Sequence, residues 1–233
     1  MNQRKAGTIL SYIYIIVSNT ISLIYTPYML RMMGQSEYGL YSTASSFVAY
    51  LSILSFGIGG AYIRFNAQYR ARNDREGEKR LNGMFLVIFS VLAILVLICG
   101  IFLVVLAGKL TEKTFTTQEL FKLRVIIIVL TISTMLTFIF NVVMMALQAY
   151  EKFIYIRIVL LIANVVQPII NVCVLNMGGR AIAIAIASLL VTASTYIAFY
   201  AYARKMIALE FLFHGFKWEK IKELFVFFGG GCR

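Results

Sequence analysis

Acidic residues are scarce in this chain: 10 Asp and Glu stand against 22 Lys and Arg, with a single His, in 233 residues. No Asp or Glu falls in the central part of any long apolar run. That removes a paired carboxylate for acid–base chemistry within those runs, and it removes the group through which a proton or sodium ion is most simply coupled. His214, the one histidine, lies near the carboxyl end. Cysteine is nearly absent too. Cys99, Cys173 and Cys232 are odd in number, two sit in apolar runs and none forms a CxxC pair. Neither a disulfide framework nor a metal site is expected, and nothing calls for a cofactor. Proline occurs twice, at Pro27 and Pro168, both inside apolar runs, where a lost backbone hydrogen bond predicts a kink.

What is present is apolar length. Hydrophobic residues make up 61% of the chain and the mean hydropathy is +0.83. Apolar runs cover roughly 8–30, 38–63, 82–107, 124–149, 154–176 and 181–203, each long enough to cross a bilayer as a helix of about 20 residues. A β-barrel would need short segments alternating polar and apolar; "AIAIAIA" at 181–187 alternates only between two apolar residues. The expectation is an all-α polytopic membrane protein of six spanning helices. The first run is too long for a signal-peptide core and lacks a small-residue cleavage pattern, so it is read as a retained helix.

The net charge of +12 is explained by topology rather than by nucleic acid. Arg4, Lys5, the basic loop 64–80, Lys152, Arg157 and the cations from Arg204 onward all fall on one side of the alternating runs. Arg31, Lys109, Lys113, Lys122, Arg124 and Arg180 fall on the other. The positive-inside bias places the amino terminus in the cytoplasm. The connections expected on the outer side, near 32–37, 108–120 and 177–180, are short and leave little room for a catalytic site, so no enzyme is expected.

Polar side chains in hydrocarbon are informative because they need a partner or water. The fifth run carries Asn164, Gln167 and Asn171 on one helical face beside Pro168; the fourth carries Asn141 and Gln148, seven apart. The first carries Asn19 with Ser22 and Thr26, and a neighbouring stripe of Ser18, Ser22 and Tyr25. The sixth is nearly bare apart from its Ser188–Thr195 group. Such stripes either bond helix to helix or line a water-filled cavity. Amides and hydroxyls both donate and accept, which would suit a carbohydrate-bearing ligand. Ala181, Ala185 and Ala183, Ala187 set small residues four apart, as do Gly57 and Ala61, and predict close helix packing.

Three stretches carry a family resemblance. "TPYMLRMMGQSEYGLYSTASSF" resembles the first-loop signature of bacterial polysaccharide flippases of the multidrug/oligosaccharidyl-lipid/polysaccharide exporter superfamily, with Arg31 and Gly34 closing one helix and Tyr38-Gly39 opening the next. "LSFGIGGAYIRFNAQYRARND" resembles the Gly-rich end of that family's second helix and its basic loop. "MMALQAYEKFIYIRIVLLIANVVQPIINV" resembles its fourth-to-fifth helix junction. The resemblance covers residues 1–205 and implies the amino-terminal six-helix lobe of a two-lobe transporter working by alternating access in the bacterial cytoplasmic membrane. It implies an undecaprenyl-pyrophosphate-linked oligosaccharide as substrate, and as further partners the bilayer, a carboxy-terminal lobe or other polysaccharide assembly proteins. It also implies a cationic cavity. Arg31 and Arg64 are the candidates for that charge, because guanidinium matches phosphate geometry; the alternative is that both snorkel to lipid headgroups. Asn19, Asn141, Gln148, Asn164, Gln167 and Asn171 are the candidate cavity lining, with Pro27 and Pro168 as kinks.

Residues 206–233 read as a cytoplasmic amphipathic connection and the cut-off start of a seventh helix, "FVFFGGGCR". Alternatives to the flippase reading are a cation-coupled multidrug exporter of the same superfamily and a truncated fragment without function.

Overall fold

The computed structural model of the protein describes residues 3–55, 58–111 and 115–214. Those residues form seven helices and a short 3-10 turn, and no strand occurs among them. The helices are α1 (Gln3–Met33), α2 (Gln35–Leu51), α3 (Ile58–Ala71), α4 (Arg75–Thr111), α5 (Thr117–Ala149), α6 (Phe153–Asn176) and α7 (Ala181–Ile207), with the 3-10 turn Ser52–Ser55 following α2. Five of them, α1, α4, α5, α6 and α7, contain segments long and apolar enough to cross a membrane, which makes the chain a multi-pass membrane protein.

The second apolar run departs from the expectation of one continuous helix. It divides into α2 and α3 around the 3-10 turn. At 17 residues, α2 is only about 26 Å long and falls short of a hydrocarbon core of about 30 Å. The 3-10 turn reads SILS, and its two serines have weak helix propensity.

Helix α5 is the hub, packing against α2, α3, α4, α6 and α7. Its inward residues, among them Leu123, Ile126, Ile127 and Phe138, are fully or almost fully buried. The small-residue face of α7 meets the bundle as its spacing predicts: Ala181, Ala185 and Ala187 are buried. At the edge of the bundle α1 and α6 pair in parallel and in register. A Cβ on Gly7 would lie 2.7 Å from Phe153 Cβ near their first turns, and Tyr28 donates to Asn176 Oδ1 at 3.2 Å near their last.

Polar contacts tie the two ends of the bundle. At one end Gly34 joins α1 to α2 with φ +81° and ψ 163°, a conformation open essentially to glycine alone. Three residues on, the buried Glu37 pairs with Lys122 of α5 and accepts the Ala181 N–H at 3.3 Å, so a carboxylate caps α7 from a distant part of the chain. Ser36 donates to Glu119, which also completes a capping box with Thr116.

At the other end Arg70 donates to the Ala149 carbonyl at 2.7 Å and stacks 4.1 Å over the Tyr150 ring. Arg75 donates to the Tyr150 hydroxyl, whose pKa burial pushes up to about 12. Beyond α7 the chain turns through Ala208 (φ 45°) and lies back on α4 as a strap. Leu212 N–H donates to the Lys79 carbonyl, Asn82 donates to the Glu210 carbonyl, and Lys79 pairs with the Glu210 carboxylate. The approach is so close that a Cβ on Gly83 would sit 2.2 Å from the Leu212 oxygen. Of the amphipathic connection and seventh-helix start expected over 206–233, residues 215–233 lie outside the described residues.

Candidate functional site

Helices α1, α5, α6 and α7 enclose an open cavity of about 540 Å³. Its walls lie midway along each helix: residues 14–25 of α1, Thr137 of α5, residues 160–168 of α6 and residues 191–196 of α7. Sites at mid-depth between helices are where transporters of several folds hold their substrates. Pro168 lines the cavity from within α6, where its nitrogen has no hydrogen to donate.

The lining mixes polar side chains with apolar ones (Ile21, Leu160, Ala163, Pro168 and Val191) and, among the described residues, carries no charge. Helix α6 contributes Asn164 and Gln167, α1 contributes Tyr14, Ser18, Ser22 and Tyr25, and α7 contributes Thr192, Thr195 and Tyr196. Several of these groups are held in place by their own bonds. Gln167 Nε2 donates to Asn171 Oδ1 at 3.0 Å and to Ser188 Oγ at 3.3 Å, which ties α6 to α7 beside the cavity. Asn171 itself is buried, and the buried Tyr25 hydroxyl makes no well-formed hydrogen bond. Thr137 donates to the Ser133 carbonyl and Thr195 to the Val191 carbonyl, each keeping acceptor capacity on its oxygen. Tyr196 is braced by stacking on Phe140 at 5.8 Å.

The structure thus brings together Asn164, Gln167 and Pro168 on the cavity wall, with Asn171 behind them. The other expected lining residues lie elsewhere. Asn19 is exposed on α1, turned about 100° from Ser18, which does face the cavity. Asn141 is half-buried one turn beyond Thr137, and Gln148 is half-buried at the last turn of α5. Arg31 is exposed at the end of α1 and Arg64 is exposed on α3; neither lines the cavity. Pro27 is exposed late in α1, also away from it.

Sequence reasoning passed over Tyr14, Thr137 and Tyr196, and noted the Ser188–Thr195 group of α7 without naming Thr192 and Thr195 as cavity lining. A signal for α7 was present: Ser188, Thr192 and Thr195 recur at spacings of four and three on one face. Thr137 carries no such signal, since α5 has hydroxyls on several faces.

The arrangement offers neutral donors and acceptors and three tyrosine rings at membrane depth. It can hold a polyhydroxylated or amide-bearing group without fixing a counter-charge. Among known proteins, the family model described as polysaccharide biosynthesis protein matches residues 5–229. No curated protein and no solved structure matches. The match spans nearly the whole chain, through Gly34, Glu37 and all four helices that wall the cavity, and the chain therefore belongs to the polysaccharide biosynthesis protein family.

Proposed function

We propose that the protein moves a lipid-linked oligosaccharide or polysaccharide precursor across the bacterial cytoplasmic membrane, as a flippase working by alternating access and without covalent chemistry. The observation that carries this reading is the uncharged cavity at mid-depth, walled by amides, hydroxyls and tyrosines. Sugar hydroxyls need neutral donors and acceptors in quantity, and hydrocarbon offers none. Membership of a polysaccharide biosynthesis family supports the same substrate class.

In this reading the six apolar runs are six spans, the amino terminus is cytoplasmic, and α2 with α3 makes one broken span. The bundle is one lobe of a two-lobe transporter. Asn164 and Gln167 bond the sugars, and Arg31 and Arg64, exposed toward opposite ends, meet the pyrophosphate as it arrives and leaves.

The test is polymer export in a strain that depends on the protein, with membrane levels measured alongside. Asn164→Ala and Gln167→Ala lower export more than Asn19→Ala or Asn141→Ala at equal abundance. Equal effects from all four would assign the cavity a structural role. Arg31→Gln and Arg64→Gln lower export with normal membrane levels; unchanged export would assign both guanidiniums to lipid headgroups.

A further inference from the structure

A second opening adjoins the cavity. It is an apolar crevice of about 440 Å³ along the α1–α6 seam, lined by Ile24 and Tyr28 of α1 and by Val165, Ile169, Val172 and Cys173 of α6. Ile21, Tyr25 and Pro168 line both spaces, so the polar cavity and the apolar crevice share a wall. On both helices the crevice is displaced from the cavity by about five residues, or roughly 7 Å, toward the Met33 and Asn176 ends. The Tyr28–Asn176 hydrogen bond lies at that end of the seam. The crevice opens outward, with Ile24 72% and Ile169 57% exposed.

We propose that the crevice holds the head-proximal part of the hydrocarbon chain of the same lipid whose sugar head occupies the cavity. The inference rests on the cavity reading above and adds a second subsite to it. An ordinary bilayer lipid keeps its head at the interface, so its chain begins there. A lipid whose head has moved to mid-depth must begin its chain at mid-depth, beside polar walls that an apolar chain does not satisfy. The shared wall at Ile21, Tyr25 and Pro168 gives that chain an apolar path starting where the head sits. Pro168 and Tyr25 serve both subsites.

Three photoreactive probes test this on the full chain in nanodiscs. The first is a polyprenyl diphosphate disaccharide with a diazirine on the sugar, the second carries the diazirine in the first isoprene units, and the third is phosphatidylcholine with a diazirine in its acyl chain. Cross-linked peptides are mapped by mass spectrometry. The sugar probe is expected on Asn164 and Thr195, and the isoprene probe on Ile169 and Cys173 several-fold above phosphatidylcholine. Filling the crevice with Ile169→Trp, or separately Val165→Trp, is expected to bring isoprene labelling down to the phosphatidylcholine level while sugar labelling persists. Sugar labelling in the cavity with isoprene labelling no stronger than phosphatidylcholine would overturn the crevice inference and leave the cavity reading standing. Absence of sugar labelling in the cavity would overturn both. Loss of sugar labelling in both filled variants, at normal abundance and melting temperature, would make the seam a packing surface and overturn the second subsite.

Discussion

The Glu37 carboxylate meets Lys122 and the Ala181 amide, so one side chain at the start of α2 reaches the first turns of α5 and α7. Removing it leaves an uncapped amide and a lysine that still reaches water, since Lys122 is 37% exposed in its side chain. Glu37→Ala is therefore expected to cost about 1–3 kcal/mol, below the penalty for stranding a fully buried charge. A thermal melt in detergent reads this, and Glu37→Gln should recover part of the loss because its amide oxygen still accepts from Ala181. Gly34→Ala is expected to cost a similar 1–3 kcal/mol for a different reason, its positive φ with extended ψ. An Ala variant as stable as wild type would mean that the turn relaxes to another conformation. The sequence marks Gly34 as a turn through its surroundings. It cannot mark the bonds of Glu37, whose partners are 85 and 144 residues away.

Along single helices, periodicity made the α6 stripe readable, because Asn164, Gln167 and Asn171 differ sharply from the apolar residues around them. Period alone does not say which way a stripe turns. On α1 two polar faces about 100° apart competed, and packing against α6 turned Ser18 and Ser22 to the cavity while leaving Asn19 outside. The break between α2 and α3 was hidden for a related reason: an apolar run reads the same whether its helix is continuous or interrupted by a 3-10 turn. Cysteine substitutions separate the faces directly. In an otherwise cysteine-free background, Asn164→Cys and Thr195→Cys are expected to react with a water-soluble thiol reagent well above the rate of Asn141→Cys. Equal, slow rates at all three would mean a cavity closed to water.

Across the whole molecule, the strap after α7 is bonded back onto α4. Lys79 holds the Glu210 carboxyl below the usual carboxylate range, by hydrogen bond and by charge. A depressed folded value means that the pair's contribution is fully present above the unfolded pKa of about 4.3 and is lost as pH falls through the folded value. Hydrogen exchange at residues 208–214 should therefore quicken as pH is lowered below about 4.3, after correction for intrinsic rates, and Glu210→Gln should flatten that dependence. Gly83→Val should release the same residues at neutral pH, because its side chain would occupy the place of the Leu212 carbonyl. The parallel pairing of α1 with α6 bears on how the molecule is made. Tyr28 and its partner Asn176 are 148 residues apart. At synthesis rates of about 5–20 residues per second, α1 emerges roughly 7–30 s before the helix that will cover its flank. During that interval lipid, or a protein of the insertion machinery, shields the flank of α1 that α6 will later cover.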